Sequence, residues 1–534
     1  MADATFDAVI IGAGHNGLTL TAYLAKAGLS VGVFERRHED GGGANTEEAT
    51  VPGFHHNLHA QYMEFIDYMP VYHDFHLEQL GARMIYPEAQ LGITFADGRP
   101  PIVVYRPELE EKTRESIAQY SKHDADVWCD LKRNVMQNDR VLARFLYSAA
   151  EEDDGHAAGE AMMALMGLWA DLGLKPNDIG VAPKILIDRL FESPELRTLL
   201  YRQCVEWGSN LHAGNGAGFL ISVLWLSAIH RMSVGGTHTL AHAMANAAMK
   251  QGACLRFTKP VVQIIMREGR AAGVRLKDGT EIAAKRLIAS NVDPKQTFID
   301  LIGEENLADF RKERLGHWRF GPEHVLGTPS FALREAPAYK SARWNADIDR
   351  CFYTLVGFET PEQISDYIIE AYGGAIPARP GAGTWVNSLW DPTQAPPGKH
   401  AMNGWFFFPR ASCLTPEQWD EVRCTYNEKF LALWGDYAPN MTRQNVIADR
   451  LYTAFDIEKK IGMPEGDFSH GRAGAGIGAG VRGYQYRTEI PGLYLCGASA
   501  GGGGLSAAPG YNAFKVICQD YALPKVWQQP CRDY

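Results

Sequence analysis

The segment Gly12-Ala13-Gly14-His15-Asn16-Gly17 has the residue types and spacing of a loop that binds the phosphates of a dinucleotide. In such a loop the first glycine permits a tight turn, the second lets the backbone approach a pyrophosphate, and the third lets a helix pack closely on a strand. Free N–H groups at the start of that helix favour bound negative charge. Glu35 follows about 20 residues later, where a carboxylate accepts hydrogen bonds from a ribose.

These residues must be held by a strand, a turn, a helix and a second strand, in that order. Residues 6–11 form a short apolar run, and residues 16–27 have a helical pattern that ends at Gly28. Residues 29–34 form a second apolar run that ends at Glu35. This order within about 30 residues is typical of the opening of a Rossmann-type unit.

Alternating strand and helix patterns return at 240–291 and at 492–523, with mixed segments between them. We therefore expect the α/β fold class, with a discontinuous Rossmann-type nucleotide-binding domain and an inserted mixed or helical substrate-binding domain. The expected segments, assigned alternately to the nucleotide-binding and the substrate domain, are 1–67, 68–230, 231–296, 297–455 and 456–534.

The composition is that of an ordinary globular enzyme, with 534 residues, 46% of them hydrophobic, and a net charge of −11. The charge balance disfavours nucleic acid as a partner, because phosphate binding needs a concentrated basic surface. The nine cysteines have no zinc-type spacing, and the first residues lack a signal-peptide pattern, so reduced thiols and a cytoplasmic location are expected. The most apolar stretch, 218–229, is too short to span a bilayer and is predicted to be a buried helix, which leaves peripheral membrane contact open.

Further blocks follow the first motif in a fixed order along nearly the whole chain, and together they resemble the phytoene-desaturase-like flavoproteins. This family belongs to the amine-oxidase and glutathione-reductase-type superfamily. The blocks are Arg36-Arg37, Gly41-Gly42-Gly43, Val51-Pro52-Gly53-Phe54, Gly235-Gly236-Thr237, 252–279, 290–294, 491–498 and 506–513.

The resemblance implies non-covalently bound FAD. It assigns the pyrophosphate to the first glycine motif, the ribose to Glu35 and the flavin pyrimidine edge to the start of a helix near Pro509. Many relatives have an acidic residue after the position of Gly497, whereas Ala498 stands here, and Ala44 replaces a basic residue. The residues implied to contact FAD are Gly12, Gly14, His15, Asn16, Gly17, Glu35, Arg36, Gly42, Gly43, Ala44, Val261, Gly497, Ala498, Pro509, Gly510, Tyr511 and Asn512.

A second glycine segment, 478–483, has the same formal spacing, but no strand pattern precedes it and no helix pattern follows. We interpret it as a flexible loop, so no second dinucleotide fold for NAD(P)H is expected. The expected electron acceptor is therefore oxygen, a quinone or a redox protein. The sequence leaves the oligomeric state open.

Catalytic candidates are His55, His56, His59 and Tyr511. A histidine near the flavin could act as an acid or base, or could be a partly buried residue bonded to backbone. Tyr511 could lie over the flavin or pack the helix. No metal site is expected, since the histidines lack a carboxylate or cysteine partner at suitable spacing.

The inserted segments contain many aromatic residues, among them Trp207, Phe219, Trp225 and the run 405–408, which could line a hydrophobic tunnel or form a plain core. The resemblance implies an FAD-dependent dehydrogenase or desaturase that takes hydride from a hydrophobic, isoprenoid substrate such as a terpene or carotenoid. The alternatives are a redox-neutral isomerase or hydratase, an amine oxidase, and a non-enzymatic prenyl- or lipid-binding protein of the same fold.

Overall fold

The computed structural model of the chain describes residues 2–149, 151, 155–214, 216–321, 324–473, 485–501 and 504–527. The second glycine segment, 478–483, lies outside the described residues. The α-helices are His15–Lys26, Pro70–Asp74, Glu110–Ala118, Lys122–Gln137, Asp139–Leu146, His156–Asp171, Pro183–Leu190, Pro194–Glu206, Gly216–Gly218, His238–Lys250, Asp309–His317, Pro361–Tyr372, Pro416–Tyr437, Ala454–Ile461 and Ala508–Asp520, and two π-helical segments are Phe219–Trp225 and Gln296–Ile302.

A first sheet is assembled from distant parts of the sequence. The strand Ala4–Ile11 pairs in parallel with Val31–Phe34 on one side and with Glu281–Ser290 on the other. Such parallel strands are apolar because both faces of the sheet are covered. The strands, in spatial order, are Val261–Arg267, Arg270–Leu276, Glu281–Ser290, Ala4–Ile11, Val31–Phe34 and Cys254–Arg256, with Leu493–Leu495 paired to Glu281–Ser290 as a branch.

The helix His15–Lys26 lies at the centre of the helical layer beside this sheet. It packs against both His238–Lys250 and Ala508–Asp520, and its residues from Asn16 to Ala25 are buried. The predicted hairpin at 277–280 is present, because Arg270–Leu276 and Glu281–Ser290 pair antiparallel. The last helix begins at Ala508, three residues before the predicted start of its helical pattern.

A second sheet is formed by the inserted segments, and the sequence patterns did not predict its extent. Most of its pairs are antiparallel, but Tyr353–Val356 and Ala89–Ile93 pair in parallel. The strands, in spatial order, are Val446–Tyr452, Val325–Leu333, His400–Phe408, Ala382–Trp385, Tyr353–Val356, Ala89–Ile93 and Ile102–Tyr105. Three short pairs complete the strands: Thr46–Glu47 with His56–Asn57, Met84–Ile85 with Met232–Ser233, and Trp318–Arg319 with Arg472–Ala473.

The strand His400–Phe408 separates two hydrophobic cores, because successive side chains of a strand point to opposite faces. Phe406 and Phe408 pack on Tyr426 of the long helix Pro416–Tyr437, with ring centroids 4.8 and 5.1 Å away. Trp405 and Phe407 belong to the other core, which is continuous with the first sheet. Alternation along one strand thus divides the aromatic run 405–408 between two environments.

In the described part of the chain, no helix is both long and apolar enough to cross a membrane. The apolar stretch 218–229 contains the buried π-helical segment Phe219–Trp225. The eight cysteines among the described residues are free thiols.

Candidate functional site

The turn after the first strand leaves no room for side chains. Gly12 has φ +92°, a conformation that glycine adopts without steric cost. A Cβ at Gly17 would lie 2.5 Å from the Gly12 carbonyl oxygen, and a Cβ at Gly14 would lie 2.8 Å from Nδ2 of Asn291. The glycines therefore bring bare backbone to the start of the helix His15–Lys26.

Glu35 is fixed at the end of the neighbouring strand. One carboxylate oxygen accepts a hydrogen bond from the Ala13 N–H at 2.8 Å, and the other accepts from the Arg37 N–H at 2.8 Å. Each oxygen keeps further acceptor capacity, since an ionised carboxylate accepts about four hydrogen bonds. A buried carboxylate that holds the glycine turn and still has lone pairs is suited to bind ribose hydroxyls.

The glycine block Gly41-Gly42-Gly43 contacts the first glycine motif, 12–17. The Gly41 N–H donates to the Ala13 carbonyl at 2.9 Å, and a Cβ at Gly42 would lie 3.3 Å from the Gly14 Cα. Gly41 and Gly42 both have positive φ, at +97° and +58°. Two glycine segments that are separate in the sequence thus form one continuous wall of backbone.

This wall borders a cleft of about 340 Å³, which we call the glycine cleft. Residues from four separate parts of the chain line it. Of the residues predicted to contact FAD, those on its lining are Gly12, Gly14, His15, Asn16, Glu35, Arg36, Gly42, Gly43, Val261 and Ala498. The predicted residues that are not on its lining are Gly17, Ala44, Gly497, Pro509, Gly510, Tyr511 and Asn512.

The last helix approaches the first one at a glycine. A Cβ at Gly510 would lie 2.1 Å from the carbonyl oxygen of Asn16, so the two backbones touch there. Tyr511 points into a cluster of rings, 5.5 Å from Tyr23 and 6.0 Å from Tyr147 between centroids. Of the two roles considered for Tyr511, its contacts are those of a helix-packing residue.

A smaller cavity of about 120 Å³ adjoins the glycine cleft, and we call it the inner cavity. The two spaces share His15, Gly43, Met463, His470 and Ala498 on their walls. The remaining residues that line the inner cavity are His59, Ala60, Gln61, Tyr62, Glu64, Glu206, Trp207, Leu326, Trp405, Phe468 and Leu505.

The three candidate histidines differ in their surroundings. His56 is buried and bonded through its ring to Thr50 at 2.9 Å and to Asn403 at 3.0 Å, and burial lowers its pKa to about 4. His59 lines the inner cavity, and neither ring nitrogen has a hydrogen-bond partner in the described part of the chain. Burial, with a smaller effect of Lys460 and Arg37, lowers the pKa of His59 to about 3, so its imidazole is neutral at pH 7.

His55 is half-buried and is not on the lining of either space. The backbone N–H of His55 donates a hydrogen bond to the Gln394 backbone carbonyl at 2.9 Å. Of the three histidines, only His59 is therefore on the lining of either space.

The inner cavity also holds acidic residues that the sequence patterns did not reveal. Glu206 forms a fully buried ion pair with Arg202 at 2.8 Å and accepts a hydrogen bond from the Tyr353 hydroxyl at 2.8 Å. Burial raises the pKa of Glu206, which Arg202 opposes, and burial raises the pKa of Glu64 well above its ordinary value. Nothing in the sequence around Glu64 or Glu206 indicated a cavity. The i, i+4 spacing of Arg202 and Glu206 on a helical pattern was the one feature that could have indicated their ion pair.

Tyr62 is the centre of an aromatic wall of the inner cavity. Its ring lies 5.9 Å from Trp207, 5.7 Å from Trp405 and 4.1 Å from His230 between centroids. The aromatic residues of the inserted segments were expected either to line a hydrophobic tunnel or to form a plain core. Trp207 and Trp405 line the inner cavity, whereas Phe219 and Trp225 lie in the core. No group of three or more His, Cys, Asp or Glu side chains in the described ranges is arranged to hold a metal ion.

The glycine cleft fits FAD on three observations. The turn presents backbone where a Cβ would clash, the helix N-terminus opens at the turn, and Glu35 offers a buried acceptor. Asn16 adds a buried side-chain oxygen on the cleft lining with no hydrogen-bond partner among the described residues.

Comparison with known proteins agrees with this geometry. Residues 10–76 match the family model of the NAD(P)-binding Rossmann-like domain. A limonene dehydrogenase chain of Castellaniella defragrans is 33% identical over 98% of this chain and 96% of that protein. Hydroxyneurosporene desaturase of Cereibacter sphaeroides is 24% identical over 64% of this chain and 65% of that protein.

Among solved structures, an oxidoreductase from Methanosarcina mazei has a TM-score of 0.59 and 16% identity, covering 96% of this chain and 99% of that one, which shows the fold alone. The predicted α/β fold class with a discontinuous Rossmann-type domain is confirmed. The relatives do not favour the isomerase, amine-oxidase or non-enzymatic alternatives. The chain belongs to the FAD-dependent oxidoreductases of the phytoene desaturase and amine oxidase family.

Proposed function

We propose that this chain dehydrogenates a hydrophobic isoprenoid substrate of the terpene or carotenoid type with FAD. The observation that carries the proposal is the inner cavity, which is walled by aromatic side chains and adjoins the glycine cleft, with which it shares five lining residues. The dehydrogenase and desaturase relatives support the reaction type. FAD, when bound, accepts a hydride from a substrate C–H bond.

The proposed FAD contacts follow the lining of the glycine cleft. Glu35 holds the ribose, the backbone of Gly12 and Gly14 holds the pyrophosphate, and Gly43 lies where the cleft meets the inner cavity. Gly510 is a packing residue in this scheme, because it brings the last helix onto Asn16. The start of that helix favours negative charge nearby through its free N–H groups.

The chain's own residues prepare the inner cavity for an apolar substrate. Tyr62, Trp207 and Trp405 supply rigid apolar surface that orients the substrate and excludes water. His59 lines the inner cavity and neither of its ring nitrogens has a hydrogen-bond partner in the described structure, so it is the proposed acceptor of the proton that leaves the substrate.

The remaining assignments are proposals of the same kind. The substrate is a small hydrophobic molecule, and the electrons pass to oxygen, a quinone or a redox protein. Residues 1–67, 231–296 and 456–534 form the FAD domain, with 68–230 and 297–455 as the substrate domain. We propose a cytoplasmic location with peripheral membrane contact.

The test is spectroscopic. Purified protein is examined for flavin absorption before and after denaturation, and the holoenzyme is then titrated without oxygen with terpenes and carotenoids. Release of FAD into the supernatant and bleaching of the flavin band by an isoprenoid support the proposal. A colourless protein that cannot be reconstituted, or activity only after prior reduction with no net oxidation, contradicts it.

A further inference from the structure

One peptide unit connects the wall of the glycine cleft to the aromatic wall of the inner cavity. It joins His59 to Ala60, and both of its polar groups are bonded. The His59 carbonyl accepts a hydrogen bond from Nε1 of Trp405 at 2.9 Å, and the Ala60 N–H donates to the Gly43 carbonyl at 3.3 Å. A peptide unit is planar, so a partner that holds its carbonyl also orients its N–H. We call this series, from Gly43 through the 59–60 peptide to Trp405, the peptide link.

Every residue of the peptide link lies on the lining of the inner cavity, and Gly43 lines the glycine cleft as well. Trp405 belongs to the strand His400–Phe408 of the second sheet. Its ring lies 5.7 Å from that of Tyr62 between centroids, so it is part of the aromatic wall. Two hydrogen bonds therefore join the backbone that borders the glycine cleft to the aromatic side of the inner cavity.

Trp405 is also held from behind. Its carbonyl accepts a hydrogen bond from Nη2 of Arg202 at 2.8 Å, and Arg202 forms the fully buried ion pair with Glu206. The backbone of Trp405 pairs with Gly383 on the neighbouring strand, and its ring lies 5.0 Å from that of Trp385 between centroids. The indole is thus a rigid support to which the 59–60 peptide is attached.

We propose that Trp405 is a positioning residue for hydride transfer, because its indole N–H sets the spacing between the aromatic wall and the glycine cleft through the peptide link. This rests on the proposed function, in which the aromatic wall holds the substrate and the glycine cleft holds FAD. Reacting atoms must lie about 3–3.5 Å apart, and a misplacement of about 1 Å can slow a reaction about 100-fold. The indole ring contributes to substrate affinity, whereas its N–H governs the rate.

Two variants remove the N–H and differ in how much of the ring they keep. Trp405→Phe retains a smaller aromatic ring, and Trp405→benzothienylalanine keeps the size of the indole with sulfur in place of the N–H. The matched control is Trp419→Phe, which also loses a buried indole hydrogen bond. Nε1 of Trp419 donates to the Ala411 carbonyl at 2.8 Å in the second core, and neither residue lines the inner cavity.

The first measurement separates rate from affinity. Each holoenzyme is mixed without oxygen with geraniol, α-pinene or β-carotene, and flavin bleaching gives a limiting rate and a Kd. We expect both Trp405 variants to lower the limiting rate at least ~10-fold, with the Kd of the benzothienylalanine variant unchanged. Trp419→Phe should keep the wild-type rate and Kd. A weaker Kd with an unchanged limiting rate in the Trp405 variants would overturn the proposal, because Trp405 would then be only part of the wall.

The second measurement needs no turnover. Hydrogen–deuterium exchange of the Ala60 amide is followed in the oxidised holoenzyme without substrate. Loss of the Trp405 hydrogen bond should make this amide exchange ~10-fold faster in both Trp405 variants, while Trp419→Phe exchanges like the wild type. Unchanged exchange at Ala60 in both Trp405 variants would overturn the peptide link, whatever their kinetics.

The two measurements distinguish this proposal from the proposed function. If none of the three isoprenoids bleaches the wild-type flavin, the proposed dehydrogenation is contradicted, and exchange at Ala60 still decides whether the peptide link exists. Faster exchange with a wild-type bleaching rate would refute the positioning role of Trp405 and leave the proposed dehydrogenation standing.

Discussion

Replacing Gly510 with alanine tests how the last helix is held against the FAD site. The new Cβ would lie 2.1 Å from the Asn16 carbonyl oxygen and 3.0 Å from Cβ of Thr19. Carbon atoms in side chains essentially never approach backbone oxygen within 3.0 Å, so the two helices must separate by about 0.9 Å. Both contacting parts are backbone or stiff side chain, and rotation of a flexible group cannot relieve the clash.

The energetic cost follows from overpacking. Inserting a methyl group into a tightly packed contact costs about 1–3 kcal/mol, whereas the alanine gains up to about 1 kcal/mol in helix propensity. We expect a net destabilisation of about 1–2 kcal/mol. The same movement displaces Asn16 and the glycine turn on the cleft lining, so FAD occupancy should fall together with stability.

The assay compares the thermal release of flavin fluorescence and the FAD-to-protein ratio after gel filtration. Gly167→Ala is the matched control, since this glycine lies inside the helix His156–Asp171 with no atom within 4 Å of a Cβ. Its only expected effect is a gain of up to about 1 kcal/mol. A Gly510→Ala protein as stable and as rich in FAD as Gly167→Ala would refute the close approach of the two helices.

The remaining predictions concern charge and hydrogen bonding. Glu35→Leu should lower FAD occupancy, because it removes the acceptor of the Ala13 and Arg37 N–H groups. The control Glu281→Leu, at a half-buried position far from the cleft, should keep the FAD occupancy of the wild type. Equal flavin content in the two variants would contradict this. Arg202→Met should lower the free energy of unfolding in urea by about 3–5 kcal/mol, because it leaves Glu206 buried without its cation. The double variant with Glu206→Gln should recover part of that loss, and additive losses would contradict the buried ion pair. The hydrogen bond to Asp40 raises the pKa of His238, so their contact should stabilise the fold below pH 6.5 and weaken as the pH rises through the raised pKa. Asp40→Asn should therefore lower the free energy of unfolding more at pH 6 than at pH 9. An equal loss at both pH values would contradict this.

The sequence by itself determined the local parts of the FAD site. The glycine spacing at 12–17 and the apolar runs around it dictate a strand, turn and helix through backbone sterics and short-range hydrogen bonding. The acidic residue at the end of the next strand follows from the same unit, and Glu35 lies there on the cleft lining. These features involve neighbours close in sequence, so residue types and spacing are enough to predict them.

The order of blocks along the chain also indicated the family, which the relatives confirm. The recurring strand and helix patterns indicated that distant segments share one domain, but they did not indicate which strands pair. Contacts such as Ile288 with Leu493 join segments about 200 residues apart, and no local propensity specifies them.

Only the tertiary structure decided the chemistry of the inner cavity. Glu64 comes from one segment and the adjacent pair Glu206 and Trp207 from another, and each is an ordinary residue in its local pattern. Whether Tyr511 faces a cofactor or packs a helix depends on the rotation of that helix against its neighbours, which Gly510 sets through its contact with Asn16. Burial and the absence of hydrogen-bond partners among the described residues are properties of the packed chain, because they depend on which distant side chains surround each atom.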